Sequence, residues 1–135
     1  MKPLRTLITI ICCATLISIS SCAQNNEKDK NSYENVDVVA LKNNLEEDII
    51  ILDVRTPGET NQGYVEGAVI IDFYEDYFLE EVKKLDKEKP IYVYCKVGGR
   101  SAQASKMLIE NGFKSVFNVD GGFDAWKDAN YPQVK

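Results

Sequence analysis

The chain has 135 residues, a formal net charge of −5, four cysteines and no histidine. So acidic a surface argues against nucleic acid or an anionic membrane face as partner. The absence of histidine excludes Cys–His catalysis, so any nucleophile here must be activated by backbone dipoles and cationic side chains.

The N-terminus opens with Lys2 and Arg5 and continues as an apolar run from Leu7 to Ile19. That run is too short for a bilayer of ~30 Å, which needs about 20 apolar residues, and its layout is that of a signal sequence. The following Ile19-Ser20-Ser21-Cys22 resembles the bacterial lipoprotein cleavage box. The resemblance implies that residues 1–21 are removed and that Cys22 is lipidated, becoming the new N-terminus. A non-lipidated signal cut near Ala23, or a short uncleaved anchor, stays open. Ala23 is not the Asp-type signal for retention in the inner membrane. The expected localisation is therefore the bacterial cell envelope, with the chain lipid-anchored to a membrane as a periplasmic or outer-membrane lipoprotein, in either leaflet.

Processing at Cys22 removes Cys12 and Cys13 and lowers the formal charge from −5 to −7 by the loss of Lys2 and Arg5. Cys95 is then the one free thiol, which suggests a reactive group or an intermolecular bond rather than a disulfide framework. Residues 22–32 are polar and charged, without a large apolar side chain, and read as a flexible tether. The remainder, 33–135, is the size of one compact domain.

Within it, apolar runs alternate with helical patterns. Val36 and the stretch from Val38 to Leu45 predict a short strand and a helix, and Ile49 to Val54 a continuous apolar strand closed by Asp53 and Arg55. Ala68 to Ile71 is a third run, and Tyr77 to Leu85 a helix with Phe78, Val82 and Leu85 on one face. Ile91 to Tyr94 leads into a glycine loop and a helix with Ala104, Met107 and Leu108 on one side, stopped by Asn111-Gly112. Val116 to Val119 is the last strand, Gly121-Gly122 a turn, and Phe123 to Ala129 a final helix with Trp126 inward. Runs apolar throughout imply strands covered on both faces, hence an α/β fold with a parallel sheet of about five strands and helices on both sides.

The chemistry centres on Tyr94-Cys95-Lys96-Val97-Gly98-Gly99-Arg100-Ser101. Cys95 falls at the C-terminal end of a strand, where the next helix aims its unpaired N–H groups into the turn. Gly98 and Gly99 permit left-handed backbone, so that successive N–H groups converge on one point, a nest for negative charge. A thiolate there has a depressed pKa, helped by Lys96 and Arg100. The plainer alternative is a small buried cysteine at an ordinary strand–helix turn.

Several separated motifs resemble the single-domain rhodaneses, thiosulfate or persulfide sulfurtransferases. They are Leu52-Asp53-Val54-Arg55 with Glu59, Gly63-Tyr64-Val65-Glu66-Gly67-Ala68, Tyr94-Cys95 through Arg100-Ser101, and Gly121-Gly122-Phe123-Asp124-Ala125-Trp126, closed by Asn130-Tyr131-Pro132. The resemblance implies that Cys95 carries a sulfane sulfur as a persulfide and passes it to a thiophilic acceptor. It implies that Lys96, Val97, Gly98, Gly99, Arg100 and Ser101 form the substrate loop, with Lys96 and Arg100 favouring an anionic donor. The partners it implies are a small sulfur-containing anion or a protein persulfide. No cofactor and no metal is expected.

Related phosphatases need one more residue between cysteine and arginine than the four found here, which disfavours phosphoryl chemistry. Asp53 and Arg55 are candidate pocket-wall residues or a structural ion pair, and Glu59 is expected to pair with one of them. Tyr64 stands where the family usually has histidine, a departure expected to alter packing rather than chemistry. Two other functions stay open: a thiol redox partner that forms mixed disulfides through Cys95, and a non-catalytic binding module with the same fold.

Overall fold

The computed structural model describes residues 32–135, so the signal segment, Cys22 and all but the end of the tether lie outside the described residues. Five strands form one sheet: β1 (Glu34–Val36), β2 (Ile50–Asp53), β3 (Val69–Ile70), β4 (Ile91–Tyr94) and β5 (Val116–Val119). Their order is β1-β5-β4-β2-β3, and every pairing is parallel. The helices are α1 (Val38–Asn43), α2 (Pro57–Thr60), α3 (Phe78–Val82), α4 (Gly99–Glu110) and α5 (Gly122–Asp128).

The alternation of side chains along β4 divides the core in two. Ile91, Val93 and Cys95 point into one half with Leu52, Val54, Phe78 and Val82 of α3, and Ala104 and Leu108 of α4. Tyr92 and Tyr94 point into the other with Ile51, Val38 and Leu41 of α1, and Phe123 and Trp126 of α5. All four residues of β4 are buried, as a central strand covered on both faces requires. At the sheet's edge the expectation fails: Val69 and Ile70 of β3 remain 39% and 40% exposed, because β3 pairs only with β2 and nothing among the described residues closes its outer side. A two-residue strand leaves little edge to attract a foreign one.

The short helix α2 is not among the predicted elements. Thr56 and Glu59 form a reciprocal capping box around Pro57 at its first position, the arrangement that makes so brief a helix hold its shape. The C-terminal tail is tied back, with Trp126 Nε1 donating to Pro132 O at 2.8 Å and Tyr64 and Val134 pairing as an antiparallel bridge. Because all strands run the same way, their C-terminal ends deliver residues 54–57, 71–77, 95–98 and 120–121 to one edge. That edge holds Cys95.

Candidate active site

β4 ends at Tyr94, and the chain turns through Cys95, Lys96, Val97 and Gly98 into α4. Gly98 caps α4 with φ +110°, a left-handed value that a Cβ would strain. The turn sets Gly98 N–H 3.1 Å from Cys95 Sγ. Ser101, one turn into α4, places its Oγ 3.6 Å from Sγ and 3.0 Å from Gly98 O, so its single proton serves either acceptor. Burial pushes the Cys95 thiol up, but the Ser101 backbone N–H and hydroxyl and the N–H groups of Gly98 and Val97 outweigh it and hold the thiol below its ordinary value. Cys95 itself is only 1% exposed, and Lys96, Val97 and Gly99 are the loop residues that meet solvent.

The loop is shaped from behind by α5. Phe123 N–H donates to Cys95 O at 2.8 Å and Asp124 N–H to Lys96 O at 3.0 Å. These bonds take up N–H groups that the first turn of α5 leaves unpaired. With both carbonyls turned toward α5, the remaining loop N–H groups are free to face the sulfur. The contact is so close that a Cβ on Gly122 would lie 2.4 Å from Cys95 O and 2.7 Å from Lys96 O, at φ +54°. The sequence suggests only a simple turn at Gly121-Gly122. The signal for this close approach is the second glycine pair itself, placed at the next strand end.

Asp53 and Arg55 are 0% and 3% exposed and pair with each other, Arg55 Nη2 lying 2.6 Å from Asp53 Oδ2. Arg55 also donates from Nη2 to Gly63 O at 2.8 Å, and its guanidinium lies 3.9 Å from the Phe123 ring centroid. The pair therefore braces the interior: it ties the end of β2 to the Gly63 turn and to the residue that holds Cys95 O. Glu59 does not pair with either of them, contrary to expectation. Arg55 is already engaged inside, and α2 carries Glu59 outward to Arg100.

There the carboxylate meets a full guanidinium fork, Nη1 to Oε2 at 2.8 Å and Nη2 to Oε1 at 2.7 Å. Glu59 Oε2 also accepts from Thr56 N–H at 3.1 Å and Thr56 Oγ1 at 3.0 Å. Arg100, with the Thr56 hydrogen bonds adding to it, pulls the Glu59 carboxyl down to about 2, against burial. Tyr74, which no sequence motif singles out, lies with its ring centroid 5.6 Å from the Arg100 guanidinium and is 68% exposed. Tyr64 is fixed through its backbone to Val134 at the C-terminal tail. Among the described residues no group of three His, Cys, Asp or Glu side chains is placed to hold a metal ion.

The sheet order β1-β5-β4-β2-β3 thus sets a thiol cradled by backbone N–H groups at the C-terminal end of its central strand. The rhodanese-like domain family matches residues 37–129, and the chain belongs to that family. Among its relatives, the thiosulfate sulfurtransferase GlpE of Coxiella burnetii is 38% identical over 63% of this chain and 77% of its own length. Thiosulfate sulfurtransferase 18 of Arabidopsis thaliana is 36% identical over 85% of this chain and 90% of its own length. The crystal structure of a rhodanese-related protein from Thermoplasma volcanium superposes with a TM-score of 0.68 at 31% identity, covering 76% of this chain and 98% of that one.

Proposed function

We propose that the protein is a sulfurtransferase that moves a sulfane sulfur from thiosulfate, polysulfide or a persulfide donor to a thiophilic acceptor through a persulfide on Cys95. The observation that carries this reading is the convergence of Gly98 N–H and Ser101 on Cys95 Sγ, with the thiol held below its ordinary pKa. The Cys95 thiolate attacks the donor's outer sulfur, the donor's S–S bond breaks, and its electron pair leaves with sulfite when thiosulfate is the donor. The persulfide left on the enzyme ends in an anionic sulfur, which preorganised N–H donors stabilise without a proton shuttle. The acceptor then takes that outer sulfur and returns Cys95 to the thiolate.

The test is the intact mass of the protein from Tyr33 onward, before and after thiosulfate, with Cys95→Ser as control and cyanide added last. A gain of one sulfur that needs Cys95 and discharges as thiocyanate supports the reading. No persulfide from thiosulfate or polysulfide, on a folded protein with a titratable thiol, points instead to mixed-disulfide partnering or a binding role. Because the chain is acidic overall, thiosulfate turnover is expected to rise with moderate salt, and a steep fall would indicate attractive steering.

The lipid anchor is a second proposal. The basic head, the short apolar run and Ser20-Ser21-Cys22 support lipidation at Cys22 and attachment to a membrane of the cell envelope. Incorporation of labelled fatty acid that disappears in Cys22→Ala is the expected result, and label retained in that variant would overturn it.

A further inference from the structure

We propose that Glu59 is a specificity-determining residue that takes Arg100 out of donor binding, so that Cys95 draws sulfur from singly charged donors, persulfides above all, in preference to dianions such as thiosulfate. The inference rests on the sulfur-transfer reading and narrows its substrate class. Sequence alone casts Arg100 as an anion-binding cation of the thiol's loop, and the structure places it at the second residue of α4. The structure gives both terminal nitrogens of that guanidinium to Glu59, at 2.7 and 2.8 Å, in the two-pronged geometry that satisfies the fork.

The carboxylate is not free to follow a ligand. Thr56 N–H and Thr56 Oγ1 hold it from the other side, so swinging it away breaks the cap of α2 as well as the ion pair. Tyr74 lies beside the guanidinium, 5.6 Å from centroid to Cζ. The pair is partly buried, Arg100 17% and Glu59 27% exposed, so solvent weakens their mutual attraction less than at an open surface.

What remains at the mouth is close to neutral. Lys96 is exposed on the loop, and Asp120 lies behind Gly98, its Oδ1 3.5 Å from where a Cβ on Gly98 would stand. Among the described loop residues, a dianion arriving here meets one free lysine rather than a lysine and an arginine. Removing one cation about 6 Å from a doubly charged ligand lowers its capture by roughly tenfold at the water-like dielectric of an open mouth, and that of a monoanion by roughly the square root of this.

Thiosulfate and methanethiosulfonate separate charge from chemistry. In both, the Cys95 thiolate forms a bond to the outer sulfur while the donor's S–S bond breaks, releasing sulfite from the dianion and methanesulfinate from the monoanion. The experiment measures kcat/KM for each donor with cyanide as acceptor. Glu59→Gln frees Arg100, and thiosulfate is expected to gain roughly tenfold and methanethiosulfonate roughly threefold, so that their ratio shifts by roughly threefold. A purely structural Glu59 would lower both together and leave the ratio unmoved, which overturns the proposal.

The double variant Glu59→Gln/Arg100→Gln keeps the mouth's net charge and decides the matter where the single variant does not fold. A donor ratio within about twofold of the parent's supports the proposal. A loss of thiosulfate activity alone by roughly tenfold means that Arg100 serves the dianion in the parent, and overturns it. Loading of the folded parent by neither donor overturns the sulfur-transfer reading and this one with it, whereas loading by both with an unmoved ratio overturns this one only.

Discussion

Two glycine pairs stand at neighbouring strand ends, Gly98-Gly99 after β4 and Gly121-Gly122 after β5, and they do opposite work. The first belongs to the loop that surrounds the thiol, yet Gly99 has open space where a Cβ would go. The second never touches sulfur, yet Gly122 is where no side chain fits, because the backbone of Cys95 and Lys96 occupies the space. The tighter steric demand thus falls on the support rather than on the loop it supports. A nest for an anion needs its carbonyls drawn away as much as its N–H groups drawn in, and α5 does the former.

Gly122→Ala is the most severe way to break this arrangement. The added methyl must push the loop backbone outward, and φ +54° adds strain of its own, so about 3 kcal/mol or more of stability is expected to be lost. In whatever protein remains folded, the Phe123 and Asp124 bonds to the loop are disrupted and Cys95 alkylation at neutral pH is expected to fall at least about tenfold. Chemical denaturation and iodoacetamide kinetics on the same sample check both. Gly98→Ala is expected to cost less, about 1–2 kcal/mol, because a Cβ there meets Asp120 and Gly121 only at ordinary contact distance and the penalty is the left-handed backbone alone. A larger loss for Gly98→Ala than for Gly122→Ala would reverse the comparison.

The unequal legibility of these features in the sequence has the same root. Ile91 to Tyr94 announces a strand covered on both faces, and Cys95 followed by two glycines and a helix start announces the loop, because both signals are local. The parallel five-stranded sheet follows from apolar runs alternating with helices. What escapes is set by packing between distant segments. Glu59 reaches Arg100 across 41 positions of sequence, and only the orientation of α2 decides that it does so instead of pairing with Arg55. The helix α2 itself is written in Thr56-Pro57 and Glu59, a capping box with proline at the first position, but at one turn it carries no hydrophobic period to reveal it. Ala68 to Ile71 reads as an interior strand because its composition is apolar, and composition alone does not say which strand lies at the edge.

Ser101 tests the loop from its other side. The thiol sits below its ordinary value of 9.0 because hydrogen bonds to the thiolate outweigh burial, and the Ser101 backbone and hydroxyl lead those bonds. A lowered pKa means that the thiolate persists as pH falls and that reactivity is lost only when pH drops through the lowered value. Ser101→Ala removes the hydroxyl but leaves the backbone donors. The midpoint of the alkylation–pH profile is expected to move upward, with a roughly three- to tenfold slower rate at pH 7. A midpoint unchanged in Ser101→Ala would assign the whole effect to the N–H groups that the two glycine turns arrange, and would sharpen the case for α5 as the principal organiser.

Gly99→Ala is the smallest perturbation and the most exacting for the comparison. Gly99 is the first residue of α4, its φ is not in the left-handed region, and no atom beyond its chain neighbours and its own helix lies within 4 Å of where an alanine methyl would stand. Alanine reduces the freedom of the unfolded chain and favours helix, so stability is expected to change by no more than about 0.5 kcal/mol, toward stabilisation. The alkylation profile of Cys95 is expected to overlay that of the parent. A neutral result, set beside the damage from Gly122→Ala, shows that the second glycine of the loop is a convenience of the helix start, whereas the second glycine of the neighbouring turn is a steric requirement of the site. A large loss of thiol reactivity at unchanged stability would instead mean that an incoming group must pass over Gly99, which is exposed beside Lys96 and Val97 at the mouth, and that its missing side chain is part of the approach to sulfur.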